Sequence, residues 1–309
     1  MPQAVRLHEY GGPEVLKIEQ VPQPTPAAGQ VVVRVKAAGI NPGEASIRKG
    51  VFKDTWPSSF PSGQGSDFAG VIEMVGEGVS HLQAGAEVIG FTHDRASHAE
   101  FVVVPHDQVT PRPAGVPWEA AGALFVAGTT AYAAVNAVDV QDGDTVVISG
   151  ASGGVGTIAV QLARLRGARV LGIASPARAE WLTAHGAEPV PYGDGLLERL
   201  QATAGGPVDA FIDTRGQGYV KLAVDLGVPT QRIDTIIDFA AAQEYGVKTE
   251  GNAVGGRTEV LAELAGLIAA GQLEVPIART FPLEQVQDAY RELERGHTFG
   301  KIVLTPGEG

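Results

Sequence analysis

Apolar residues change their spacing near Pro117 of this 309-residue chain, and the change divides it. Before Pro117, short β-branched runs at 31–35, 71–75 and 101–104 are separated by glycine and proline. Gly11-Gly12-Pro13, the stretch 22–29 and Pro111-Arg112-Pro113 read as the turns between them. Many short strands joined in this way predict a β-rich, barrel-like domain. After Pro117 the texture alternates. Residues 118–137 are alanine-rich at helical spacing, and Thr145–Ser149 is a continuous apolar run of the buried parallel type. Residues 155–166 place Ile158, Leu162 and Leu165 on one helical face. Strand-like runs at 169–174, 189–192, 209–213 and 233–237 follow, with a helix expected over 177–185. Strands alternating with helices argue for an open parallel sheet with right-handed crossovers. A Leu/Ala helix over 260–270 is expected to close this part, and the tail predicts a helix around 283–294 and a strand over 301–304. The last segment is expected to rejoin the first domain.

Charge narrows the function. Lys plus Arg number 23 against 35 for Asp plus Glu, a net charge of −12. Such a surface repels phosphate backbones and anionic lipid, so no nucleic-acid or membrane partner is expected beyond a small local basic pocket. A hydrophobic content of 44% with 19% charged residues describes a folded globular chain. No apolar run approaches the roughly 20 residues that span a bilayer. Residues 1–10 lack a charged segment followed by an apolar core, so no secretory signal is read and a cytoplasmic protein is expected. The absence of cysteine removes disulfides, thiolate nucleophiles, iron–sulfur clusters and every cysteine-ligated zinc site. None of the seven histidines has H-E-x-x-H spacing; the richest stretch, His93 to His98, reads as surface loop, and no metal is expected.

The chemistry gathers at Ser149-Gly150-Ala151-Ser152-Gly153-Gly154-Val155-Gly156, between an expected strand and an expected helix. Small residues let the backbone approach a pyrophosphate, whose charge meets the N–H groups and dipole of the helix N-terminus. Strand, turn, helix and next strand in this order make the run a dinucleotide fingerprint rather than a chance glycine cluster. An NAD site places an acid about 20 residues further on, where it accepts from the ribose 2′-hydroxyl. Here the stretch is Gly172-Ile173-Ala174-Ser175-Pro176-Ala177-Arg178, with no acid. Ser175 can donate to a 2′-phosphate, Arg178 can pair with it, and Tyr192 can donate a third bond. Arg178 also reads as an ordinary solvated helix residue, but the missing acid selects NADPH.

With these residues placed, the chain resembles the zinc-independent quinone oxidoreductases of the medium-chain dehydrogenase/reductase superfamily. The likeness runs through Tyr10-Gly11-Gly12-Pro13-Glu14-Val15-Leu16, Ala38-Gly39-Ile40-Asn41-Pro42 and Pro61-Ser62-Gly63-Gln64-Gly65-Ser66-Asp67-Phe68-Ala69-Gly70. It continues through Val75-Gly76-Glu77-Gly78-Val79, Gly128-Thr129-Thr130-Ala131-Tyr132, the glycine turn and Gly300-Lys301-Ile302-Val303-Leu304. Zinc-dependent relatives carry Cys where this chain has Asn41 and His where it has Ser66, so the resemblance implies a metal-free site. Tyrosines that line the pocket of quinone-reducing relatives are replaced by Ser46 and Phe52, and Asp67 is read as structural support.

The resemblance implies an α/β protein: a Rossmann doubly wound parallel sheet over 123–271, and a GroES-like β-barrel-type substrate domain over 1–122 and 272–309. It implies NADPH as cofactor, held at Asn41, Thr130, Ser152, Gly153, Gly154, Val155, Ser175, Arg178, Tyr192 and Phe239. Asn41 would also orient substrate and nicotinamide, although Asn41-Pro42-Gly43 equally reads as a strand-ending turn. Thr130 equally reads as a helical threonine bonding its own backbone. The expected reaction is hydride transfer to a quinone or other activated acceptor, with no side chain standing out as general acid. Reduction of a conjugated enal or enone, and an NADPH-binding sensor without turnover, are the alternatives. A homodimer paired along 232–237 is expected.

Overall fold

The computed structural model describes residues 1–307 and comprises two compact units, Met1–Val126 together with the chain from Arg257 onward, and Ala127–Gly256. The first unit opens with strands β1 (Gln3–Arg6) and β2 (Lys17–Gln20), an antiparallel pair. There follow β3 (Gln30–Gly39), helix α1 (Pro42–Arg48), β4 (Asp67–Val75), β5 (Glu87–Phe91), β6 (Phe101–Pro105), β7 (Val109–Pro111) and α2 (Trp118–Gly122). Alternation along β3 sends Val31, Val33 and Val35 into a core shared with Phe68, Ile72, Val88, Val102 and Val104. The alanine-rich stretch 118–137, read as helical in spacing, forms two helices. Ala123 leaves helical geometry (φ −113°, ψ 9°) while its N–H bonds back to Ala120 and Ala121.

Helix α3 (Phe125–Ala137) leads into the second unit and is buried on nearly every side, which its alanine-rich, unstriped sequence permits. Then come β8 (Thr145–Ser149), α4 (Gly154–Leu165), β9 (Arg169–Ala174), α5 (Ala179–Ala184), β10 (Ala187–Pro191) and α6 (Leu196–Ala204). β11 (Ala210–Asp213), α7 (Tyr219–Asp225), β12 (Ile233–Thr235), α8 (Phe239–Tyr245) and α9 (Asn252–Gly255) complete it. The five strands are parallel in the order β10-β9-β8-β11-β12. This is the Rossmann order, with its switch point between β8 and β11. Register aligns Ile233, Phe211, Val147 and Leu171 in one row across four strands, all fully buried. Each such side chain gains roughly 1.5–3 kcal/mol on leaving water.

The chain then returns to the first unit as α10 (Thr258–Ala269), β13 (Ile277–Pro282), α11 (Val286–Glu294) and β14 (Lys301–Thr305). β14 adds antiparallel to β3, with Val303 opposite Gly39, and completes a seven-stranded sheet running β13-β14-β3-β4-β5-β7, with β6 also on β3. The sequence placed helix 260–270 in the nucleotide-binding half; α10 instead packs on β5 and β7 of the first unit, and Thr258 Oγ1 donates to the Asp107 carbonyl.

The strand expected over 233–237 stops at Thr235, and its outer side is already bonded. Thr235 N–H donates to the Lys248 carbonyl and Lys248 N–H to that of Ile233, each at 3.0 Å. The edge expected to pair with a second copy is thus partly closed by the chain's own backbone. On the same strand Asp234 is fully buried; Oδ1 accepts from Glu250 N–H at 2.7 Å while Oδ2 has no partner. Burial pushes this carboxyl up to about 7. A folded pKa above the unfolded value means the native state holds a proton that the unfolded chain releases, so stability falls as pH rises from about 4 to 7. Asp234→Asn removes that slope. Relative to wild type it should gain roughly 2–4 kcal/mol in urea unfolding between pH 4 and pH 8; a parallel pH dependence in both proteins contradicts this.

Candidate functional site

In the second unit the chain leaves β8 in a turn that only small residues can make. Gly150 has φ +58°, and a Cβ on Gly156 would lie 2.1 Å from the Gly150 carbonyl oxygen. Gly153 caps α4 with extended backbone, and beyond the Gly150 oxygen at 3.3 Å nothing crowds the space its Cβ would fill. Ser152, Gly153, Gly154 and Val155 are partly exposed. The first-turn N–H groups of α4 have no intrahelical acceptor and suit an anion. All four turn residues expected from the sequence therefore lie together at one cradle that a dinucleotide diphosphate fits.

At the end of β9, Ser175 precedes a single 3-10 turn, Pro176–Arg178, and its carbonyl accepts from Arg178 N–H at 2.9 Å. Arg178 is half-buried. Pairing of Pro191 with Ala174 brings the next residues, Tyr192 and Ser175, to the same end of the sheet, and Tyr192 is exposed. Thr130 is buried in α3, its methyl 3.6 Å from the Cβ position of Gly251; Ile236, just past β12, approaches the same point at 3.9 Å. Phe239 opens α8 with 55% of its surface exposed. The end of β11 is pinned to the turn: Ser149 Oγ donates to Asp213 Oδ1 at 2.6 Å, and Thr214 Oγ1 donates to the Ser149 carbonyl at 2.7 Å.

Asn41, expected beside the cofactor, belongs to the first unit and sits in a buried polar network. It caps α1, and Pro42 supplies the helix's first residue with φ already set. Glu44 Oε2 accepts from Asn41 N–H at 3.0 Å, and Oε1 accepts from Asn41 Nδ2 at 3.1 Å and from Ser66 N–H at 2.9 Å. Tyr290 Oη donates to Glu44 Oε2 at 2.8 Å and accepts from Gln64 Nε2 at 2.9 Å. Lys301 Nζ donates to Asn41 Oδ1 and, at 3.0 Å, to the Ile40 carbonyl. A lysine on the amide oxygen and a carboxylate on the amide nitrogen leave Asn41 one orientation. Asp67 lies 3.9 Å from Lys301, accepts from Val126 N–H at 3.1 Å, and keeps Oδ2 unbonded.

Burial dominates the charges of this network. It pushes Asp67 up to about 7 against the pull of Lys301, and lowers Lys301 below the usual lysine range against the pull of both carboxylates. Tyr290 is raised well above its usual value, by burial and by the neighbouring Glu44. Among the described residues no three His, Asp or Glu side chains gather in a metal-ligand group. The sequence expected Asp67 as support and missed Glu44, Gln64, Tyr290 and Lys301. Glu44 alone left a trace, three residues after an Asn that precedes a proline, the pattern of a capping pair.

A parallel Rossmann unit with a glycine turn, set in sequence between the halves of a β-rich unit, defines a medium-chain dehydrogenase/reductase. Residues 27–117 match the family model of the alcohol dehydrogenase GroES-like domain, and residues 185–304 that of zinc-binding dehydrogenases. The chain is similar to the chloroplast envelope quinone oxidoreductase homolog of Arabidopsis thaliana, 30% identical over 322 residues, with 98% of each covered. It is similar to the solved Escherichia coli quinone oxidoreductase complexed with NADPH, with TM-score 0.87 and 27% identity over 98% of this chain and 100% of that one. The CurK enoyl reductase structure is similar at TM-score 0.85 and 25% identity, covering 99% of each. The chain belongs to the quinone oxidoreductase family of this superfamily and is an oxidoreductase.

Proposed function

We propose that the chain is a zinc-free, NADPH-dependent reductase of quinones or other activated acceptors, acting in the cytoplasm as a homodimer. The observation that carries this reading is the glycine cradle at the end of β8, with Ser175 and Arg178 in place of an acid at the end of β9. Support comes also from the similar Escherichia coli structure, solved with NADPH. The N–H groups of Gly154 and Val155 and the Ser152 side chain hold the diphosphate, while Gly153, whose own N–H is donated to the Gly150 carbonyl, lets it approach the backbone. Ser175, Arg178 and Tyr192 hold the 2′-phosphate, and Thr130 and Phe239 serve the nicotinamide end. Asn41 orients the acceptor with an amide fixed by Lys301 and Glu44. When bound, NADPH supplies the hydride; the chain supplies its placement and an environment from which water is excluded.

The residues do not fit a zinc ion. Cysteine is absent, and Asn41 and Ser66 stand where zinc-dependent relatives carry ligands. Without a Lewis acid to steady an alkoxide, an already electrophilic acceptor suits the site better than an alcohol. No helix among the described residues is long and apolar enough to cross a membrane. Similarity to the CurK enoyl reductase favours a second reading, reduction of a double bond conjugated to a carbonyl.

Loss of NADPH absorbance with 1,4-benzoquinone, 9,10-phenanthrenequinone and simple enones decides between the readings. Turnover of the quinones is expected; turnover of enones alone selects the second reading, and binding without turnover marks a sensor. Arg178→Ala should weaken NADPH binding by about 1.5–3 kcal/mol and leave NADH nearly unchanged; equal weakening of both moves the 2′-phosphate elsewhere. Sedimentation velocity should give twice the chain mass of 32.0 kDa, and a monomer contradicts the proposed assembly.

A further inference from the structure

Arg215 is a cation that the proposed site does not yet use. It follows β11 at the switch point, where open parallel sheets place their ligands. Its backbone is held from several sides. Asp213 Oδ1 accepts from the N–H groups of Arg215 and Gly216, each at 2.9 Å, and Asp213 Oδ2 accepts from Thr235 Oγ1 at 2.8 Å. Thr214 N–H donates to Ser149 Oγ at 3.0 Å, tying the segment to the end of β8. The side chain, by contrast, is exposed, and its guanidinium makes no hydrogen bond or ion pair with the described residues. Arg215 Cβ lies 3.5 Å from the point that a Cβ on Gly150 would occupy, so the guanidinium has the glycine cradle within its reach. Burial raises the neighbouring Tyr219 hydroxyl above its usual value, and the charge of Arg215 opposes that shift.

A rigid backbone carrying an uncommitted guanidinium beside an anion cradle, in a chain of net charge −12, is the arrangement of a ligand contact rather than of a structural ion pair. We propose that Arg215 grips the adenosine-diphosphate half of the dinucleotide from the β11 side. That half is common to NADH and NADPH, whereas Ser175 and Arg178 on the β9 side read the 2′-phosphate. Arg215 then sets affinity for the coenzyme and Arg178 sets the choice between the two. This rests on the proposed cofactor reading and adds to it a residue that the glycine fingerprint does not contain.

Calorimetric titration of the full chain with NADPH, NADH, ADP-ribose and nicotinamide mononucleotide tests it. Arg215→Ala should weaken NADPH, NADH and ADP-ribose by a similar factor of about ten or more and leave nicotinamide mononucleotide unchanged. Arg215→Glu should weaken the same three further, and added salt should lower ADP-ribose affinity more steeply in wild type than in Arg215→Ala. The residue is exposed, so both variants should melt with the wild type. Unchanged affinities overturn the inference, and so does a loss confined to NADPH, which makes Arg215 a 2′-phosphate ligand. A wild-type chain that binds none of the adenine-containing probes refutes the cofactor reading instead.

Discussion

The close approach of α4 to the end of β8 is the constraint on which this structure turns. Gly156 stands so near the Gly150 carbonyl that any larger residue would force helix and strand apart. Because they stay together, the free N–H groups of the first helical turn are aimed at the mouth of the parallel sheet. Ser149 and Asp213 then lock the neighbouring strand end to the same turn through hydroxyl and carboxylate bonds. A diphosphate bound here, as proposed, would meet donors already in position and need little reorganisation of the protein.

Charge is handled differently in the two units. In the first, Lys301, Glu44 and Asp67 are taken out of water together, with Tyr290 and the Asn41 amide bonded to Glu44 and Lys301, while burial raises the Asp67 carboxyl and leaves its Oδ2 without a hydrogen bond. Such a network costs desolvation energy and gives a single arrangement in return, here the orientation of Asn41 at the end of β3. In the second, Asp213 and Asp234 are buried singly on hydroxyl and backbone N–H donors, while Arg215 and Tyr192 remain exposed near the ends of the strands. The buried network fixes geometry, and the exposed side chains are those proposed to meet a ligand.

Much of this was legible in the residues. The apolar runs gave the parallel strands because buried strands are continuous in composition, and the glycine turn announced itself because only glycine tolerates its contacts. Helix α1 was hidden: Asn41-Pro42-Gly43 has the composition of a turn, and the helix exists because Pro42 fits a first helical position and Glu44 closes the cap. The partners of α10 were hidden too, since its contacts on β5 and β7 lie about half the chain away while its pattern continues the domain before it. The polar network was the least visible, for Lys301 and Asn41 meet only once β14 pairs with β3. Pairing at that distance leaves no local periodicity to read.

The most direct measurement of the central claim is a calorimetric titration of the purified chain with NADPH, beside one of a Gly156→Ala variant shown by circular dichroism to be folded. Wild type should bind one NADPH per chain saturably while the variant, with its cradle forced open, binds far more weakly. No heat from the wild type, or equal affinity in both, contradicts the assignment of the coenzyme to the turn after β8.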